Sequence, residues 1–215
     1  MYKAFLFDYD GTIARTMHIH FRAWRKALIN YNINIKKDDY YPLEGMNLYE
    51  IAYKLCNQKI SKSMSKSIVQ KKKSIFNHSI KKDNYYSSIK TLISRLIKNN
   101  YKIGLVTSSH KDQLLKSSSK NFLNLFDAIV FGDDVKRNKP YPDPFIKCSI
   151  KLNLNKRDCI AIENSPVGIK SAKKAGMLCL AVCNTNKKKV LNDADFVYQD
   201  IPDLLNSKFI NKLVK

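Results

Sequence analysis

A short apolar run near the N-terminus, Ala4-Phe5-Leu6-Phe7, ends in two carboxylates separated by one residue, in Asp8-Tyr9-Asp10-Gly11-Thr12. With a cation present, Asp8 could attack phosphorus while Asp10, two residues on, handles a proton. The competing reading is structural: an Asp-Gly turn between a strand and a helix, capped by Thr12. The elements that must position the acids follow from the pattern. Four consecutive apolar residues read as a central strand of a parallel sheet, buried on both faces. Gly11 permits the tight turn that would lift Asp8 and Asp10 above the sheet edge. Ligands of open α/β sheets bind at that edge, beyond the carboxyl ends of the strands.

Three further apolar segments end in polar signals. Lys102 to Val106 leads into Thr107-Ser108-Ser109. Ala128 to Phe131 leads into Gly132-Asp133-Asp134, with Lys139-Pro140 just after. Cys159 to Ile162 leads into Glu163-Asn164-Ser165-Pro166. A core strand has no need of acid, hydroxyl, lysine and acid at the same end, whereas a phosphoryl-transfer site does.

On these residues the chain resembles the haloacid-dehalogenase-like (HAD) hydrolases, in the branch that includes β-phosphoglucomutase and small sugar-phosphate phosphatases. The likeness is carried by Asp8 to Thr12, Thr107-Ser108, Lys139-Pro140-Tyr141-Pro142-Asp143 and Glu163-Asn164-Ser165 with Gly168. His20-Phe21-Arg22-Ala23-Trp24 is similar to the first cap helix of that branch. The resemblance implies a Mg²⁺-dependent phosphatase of a small phosphorylated metabolite, working through an aspartyl phosphate on Asp8. It makes Asp10 the general acid–base with a raised pKa, Thr107 and the backbone around Ser108 the phosphoryl binders, and Lys139 the charge-offsetting cation. Metal ligands would come from Asp8, the Asp10 carbonyl, Glu163 and Asn164. His20, Gly45 and Met46 would meet the substrate from the cap.

Several positions depart from that family pattern. Asn164 stands where a second acid is usual, which implies weaker Mg²⁺ binding. Arg15 stands where relatives commonly carry an acid, and Tyr85-Tyr86-Ser87-Ser88 where they often show Pro-Gly. The mutase pattern has a basic residue ahead of the cap-loop glycine and an arginine after it; here those places hold Glu44 and Leu48. A sugar phosphomutase is therefore the second enzymatic reading. A non-catalytic basic binding protein on the same fold is the third, and dehalogenation is disfavoured because Asp10 is present.

The chain has 215 residues and a formal net charge of +21. Only six of its 39 basic residues are arginine, the side chain usually chosen for base and phosphate readout. The lysines are scattered among Asn and Ile, so specific nucleic-acid binding is not expected. A positive field would still speed encounter with anionic metabolites. Five cysteines without a C-x-x-C pair argue against a disulfide framework and a zinc site. The first apolar stretch is too short for a signal peptide, and no segment approaches the length of a membrane span. A cytoplasmic, soluble monomer is expected.

Strand and helix alternate in residues 1–14 and again from about 85, which predicts a doubly wound parallel sheet, a Rossmann-like core. Apolar spacing predicts helices over Ser88 to Asn99 and from Ser165-Pro166 to Ala175, the latter with Gly176 just past its end. Residues 15–84 break the rhythm with helical patterns at His18 to Asn30, Asn47 to Asn57 and Ser63 to Asn77. They are read as a helical cap inserted into a core of 1–14 and 85–215. Within it, Trp24 reads as packing and Lys71-Lys72-Lys73 as a solvated face. Lys208 to Lys215 should close as a short helix.

Overall fold

A computed structural model describes residues 1–214. Six parallel strands form one sheet: β1 (Ala4–Phe7), β2 (Lys102–Val106), β3 (Ala128–Val130), β4 (Cys159–Glu163), β5 (Leu178–Val182) and β6 (Phe196–Tyr198). Their order is β3-β2-β1-β4-β5-β6. Strand β1 pairs with β2 on one side (Ala4 with Lys102) and β4 on the other (Ala4 with Cys159). The strand order reverses between β1 and β4, and a crevice opens at such a reversal.

Side-chain alternation on β1 explains its wholly apolar sequence. Phe5 and Phe7 join one buried cluster with Ile103, Leu105, Ile160 and Ile162. Ala4 and Leu6 join another on the opposite face, with Val106, Cys159 and Ala161. Eleven helices complete the described chain. The helical segment between β1 and β2 holds α1 (Met17–Leu28), α2 (Lys37–Tyr40), α3 (Leu48–Leu55), α4 (Lys62–Ser79) and α5 (Ile89–Lys98). After β2 come α6 (Lys111–Ser117) and α7 (Lys120–Leu123), then α8 (Asp143–Lys151), α9 (Pro166–Lys174), α10 (Ile201–Asn206) and α11 (Lys208–Leu213). Helix α5 packs on the Phe5 face and α8 and α9 on the Leu6 face. Residues of α1 to α4 form a third cluster around Trp24, Leu28, Ile51 and Ile68.

Local signals set the helix ends. Asn47 and Ser61 accept the N–H groups of Tyr49 and Met64 at the starts of α3 and α4. Ser165 accepts the Gly168 N–H at the start of α9, and Gly176 follows that helix with φ +76°. The predicted end at Lys215 lies outside the described residues. All five cysteines are free. Cys148 sits against Gly104, where an added Cβ would lie 2.6 Å from its sulfur.

Gly168 brings α9 onto the end of β4: a Cβ there would lie 1.8 Å from Glu163 Oε1. Overpacking of this kind costs about 1–3 kcal/mol when neighbours can shift. Gly168→Ala should therefore lower stability by about 2 kcal/mol or more in urea titration, and an unchanged midpoint would contradict the contact.

Candidate active site

The crevice between β1 and β4 collects buried charge. Asp8 follows β1, its N–H donating to the Ile162 carbonyl at 2.9 Å, so its backbone continues the β1–β4 ladder. Lys139, 2% exposed, reaches in from the loop before α8. Its ammonium donates to Asp8 Oδ1 at 2.6 Å, Glu163 Oε1 at 2.7 Å and the Val106 carbonyl at 3.2 Å. Burial alone would push the Lys139 pKa down; the two carboxylates outweigh it and hold the ammonium firmly protonated.

Asp8 keeps one oxygen unused. Its Oδ2 is buried with no hydrogen-bond partner among the described residues. Burial and the nearby Glu163 charge raise its pKa to about 7, against the pull of Lys139. A buried acceptor without a donor is rare. This one is suited to an electrophile, whether phosphorus or a cation.

Asp10 is fully engaged. Thr16 donates to its Oδ1 at 2.6 Å, His20 Nε2 lies 3.1 Å from the same atom, and Ser109 donates to Oδ2 at 2.9 Å. Burial would raise its pKa, but these partners lower it to about 2. The family resemblance implies a raised value; three donors on one carboxylate reverse the sign.

Both oxygens of Glu163, expected among the metal ligands, have protein partners. One oxygen serves Lys139, and the other accepts from the Asn164 and Ser165 N–H groups and the Ser165 hydroxyl. Asn164 Oδ1 accepts from Thr12 at 3.0 Å, and its amide donates to Thr185 at 2.7 Å. Gly11, with φ +89°, passes so close that a Cβ would lie 2.1 Å from the Asn164 amide nitrogen. The turn that presents the two aspartates thus requires glycine.

Thr107 is buried at the end of β2, its hydroxyl accepting the Ser109 N–H at 3.0 Å. Ser108 donates to the Gly45 carbonyl at 2.6 Å, joining the sheet edge to the loop ahead of α3. Gly45 lies over Lys139: a Cβ would be 3.3 Å from its Cδ. Met46 packs at the margin of the helical cluster.

Two further groups stand near Asp10, where local spacing does not place them. Lys72, read as part of a solvated face, is 1% exposed. Its ammonium meets His20 Nδ1 at 2.8 Å and lies 5.1 Å from the Phe76 ring centroid and 5.5 Å from that of Trp24. The available signal is register: Ile68, Lys72 and Phe76 share one buried stripe of α4. Glu44, the second, accepts from the Tyr40 hydroxyl. Burial, then the Asp10 charge, raises its pKa to about 8, and burial lowers that of Lys72 to about 8. One ligand atom each from Asp10, His20 and Glu44 lies within 4.8 Å of the others. Lys72 opposes a cation there, because its N–H on Nδ1 leaves the His20 proton on Nε2, the atom facing Asp10.

A family model described as haloacid dehalogenase-like hydrolase matches residues 5–182. β-Phosphoglucomutase of Bacillus subtilis (strain 168) is 28% identical over 211 residues, covering 94% of this chain and 91% of its own. Pyrophosphatase PpaX of Bacillus thuringiensis (strain Al Hakam) is 27% identical over 207 residues, covering 93% of each. Among solved structures, a β-phosphoglucomutase from Clostridium difficile superposes with a TM-score of 0.83 at 27% identity, covering 99% of this chain and 97% of that one.

His20 supplies a pH test. Burial, then Lys72, lowers its pKa from 6.5 to about 4. The unfolded chain therefore binds the extra proton between those values, and stability falls as pH drops from about 6.5 towards 4. His20→Asn should remove about 2 kcal/mol of the stability lost between about pH 7.5 and 5, measured by urea unfolding at both pH values. Parallel losses in both proteins would show that His20 is not held neutral.

Proposed function

Because the chain belongs to the haloacid dehalogenase-like hydrolase family, we propose that it hydrolyses a small phosphorylated metabolite, a sugar phosphate foremost, through a phosphoryl group carried on Asp8. The observation that carries the reading is the Asp8 carboxylate, pinned on one oxygen by Lys139 and unpartnered on the other. A carboxylate so placed has a fixed direction of attack and no donor to remove first.

In the first half-reaction Asp8 bonds to phosphorus and the ester P–O bond breaks, the leaving oxygen taking a proton from Asp10. In the second, Asp10 takes a proton from water as the water oxygen bonds to phosphorus, releasing phosphate and restoring Asp8. Held ionised, Asp10 is ready for the second half. For the first it needs a proton, and the contacts Lys72 to His20 to Asp10 form a line along which one can be passed. Lys139 offsets the charge on Asp8, and Thr107 with the backbone around Ser108, at the end of the neighbouring strand, would hydrogen-bond the transferring group.

Mg²⁺ fits the unpartnered, oxygen-only end of the site. Asp8 would hold it with the Asp10 main-chain carbonyl and the Asn164 side-chain oxygen, while Glu163 orients Lys139. The cation supplies charge neutralisation between two anions that would otherwise repel. A helical cap made of residues 15–84 would close over the substrate, with His20 and Gly45 at the seam.

A phosphomutase remains the second reading, favoured by likeness to β-phosphoglucomutase. Glu44 opposes it, because it stands where the mutase pattern has a basic residue to hold the distal phosphate.

Phosphate release should be measured on sugar phosphates, p-nitrophenyl phosphate and inorganic pyrophosphate, with Mg²⁺ or with EDTA. Turnover should need Mg²⁺ and fall about 10³-fold or more in Asp8→Asn. Release unaffected by that substitution would remove Asp8 as nucleophile. Asn164→Asp restores a charge near the cation and should lower the Mg²⁺ concentration for half-maximal rate about tenfold; an unchanged value would take Asn164 out of the ligand set.

A further inference from the structure

The helical segment joins the sheet through two connections that run side by side. The Arg15 N–H donates to the Asn84 carbonyl at 2.8 Å and the Tyr86 N–H to the Ile13 carbonyl at 2.9 Å. Ala14 and Tyr85 form an antiparallel bridge between them. Two cavities open on this crossing and share His18 and Asn84 as walls. One, of about 430 Å³, is lined also by Arg22, Lys26 and Lys81. The other, of about 490 Å³, is lined also by Arg15, Lys37, Tyr41 and Thr185.

Neither cavity is lined by a carboxylate. Some basic side chains elsewhere pair with acids: Lys102 with Asp127, Arg137 with Asp143, Lys151 with Asp134 and Lys173 with Asp195. Among the described residues none of Arg15, Arg22, Lys26, Lys37 and Lys81 has such a partner. Arg15 lies instead over the Tyr86 ring, 5.2 Å from its centroid. Burial, then the nearness of Arg22 and Lys37, lowers the His18 pKa. Cations from both cavities therefore converge on one imidazole.

Five cations lining two adjoining cavities whose walls hold no carboxylate suit a compact anion of high charge. Concave sites of this volume suit a small molecule, whereas a nucleic-acid strand needs an extended track with stacking platforms. We propose that the two cavities form one hinge site for a small molecule bearing a di- or triphosphate group, and that its occupation holds the helical segment against the sheet. The second cavity takes Lys37 and Tyr41 from the helical segment and Tyr86 and Thr185 from the sheet side. Parting the two would dismantle it, so a ligand touching both walls favours the closed arrangement. If substrate enters and product leaves by that parting, occupation slows turnover. This consequence rests on the hydrolase reading; the binding does not.

Calorimetric titration of inorganic triphosphate into Asp8→Asn protein, at fixed free Mg²⁺, tests the binding without turnover. Two binding events are expected, one at the crevice and one at the hinge. Adding Arg22→Glu and Lys81→Glu should weaken one of them by about tenfold or more. In protein with Asp8 intact, triphosphate at saturating p-nitrophenyl phosphate should lower kcat about threefold or more, and the paired substitution should remove that loss while leaving the basal kcat unchanged. Identical titrations with and without the charge reversal would overturn the site. A lost binding event in the variant, with no effect of triphosphate on wild-type kcat, would overturn its coupling to closure. Absence of all p-nitrophenyl phosphate hydrolysis would count against the hydrolase reading, with the titration still deciding the hinge site. Tighter binding of single-stranded RNA than of triphosphate, lost in the same variant, would overturn it in favour of a nucleic-acid contact. Should the charge reversal fail to fold, Arg22→Gln with Lys81→Gln gives the same comparison.

Discussion

The crevice depends on one ammonium group. Lys139 lies between Asp8 and Glu163, at 2.6 and 2.7 Å, and all three side chains are buried. Removing two carboxylates from water at the ends of adjacent strands is costly unless a cation is fixed between them. The Val106 carbonyl adds a third acceptor, so Lys139 ties the ends of β1, β2 and β4 together. Glu163 is held in turn by two backbone N–H groups and the Ser165 hydroxyl, at the start of α9. The close approach of Gly168 belongs to the same arrangement. One charge network therefore fixes three strand ends and a helix start, and it leaves one oxygen of Asp8 free.

A second network joins the helical segment to this edge. Asp10 takes His20 from α1 on one oxygen and Ser109 from the sheet side on the other. Behind His20 stand Lys72 and the stacked ring of Phe76, whose centroid is 4.1 Å away. The Ser108–Gly45 bond makes a further link. These contacts join groups of two segments with separate apolar clusters. Polar contacts of this kind add modestly to stability and strongly to orientation. They suit a joint that opens and closes more than a permanent core.

The sheet was legible because a parallel strand buried on both faces has almost no polar residues until its end. The runs at Ala4, Lys102, Ala128 and Cys159 are of that kind, and each pairs as the alternation implies. Strand β6 was not anticipated: Phe196-Val197-Tyr198 is three residues long and pairs only with β5. Of the groups that meet Asp10, Ser109 lies in the polar signal after β2 and His20 in the His20 to Trp24 likeness. Lys72 was hidden by its neighbours, since three consecutive lysines look solvated whatever the helix register places inward. Glu44 was visible as a departure in charge, but its nearness to Asp10 depends on how the Gly45 loop folds over the sheet edge, a long-range placement that local spacing does not encode. The direction of the Asp10 shift likewise depends on donors up to 99 residues away in the chain.

Among the six strands of this sheet β1 is made first, well before its partners at Lys102 to Leu105 and Cys159 to Ile162. At typical elongation rates of about 5–20 residues per second, β1 waits on the order of ten seconds for its second neighbour. Until β2 is made, Phe5, Leu6 and Phe7 have no neighbouring strand to pair with. The helices of the intervening segment, whose contacts are mostly local, can form their own cluster in the meantime. The nascent chain therefore carries a helical cluster of its own beside an apolar strand that still lacks its ladder partner.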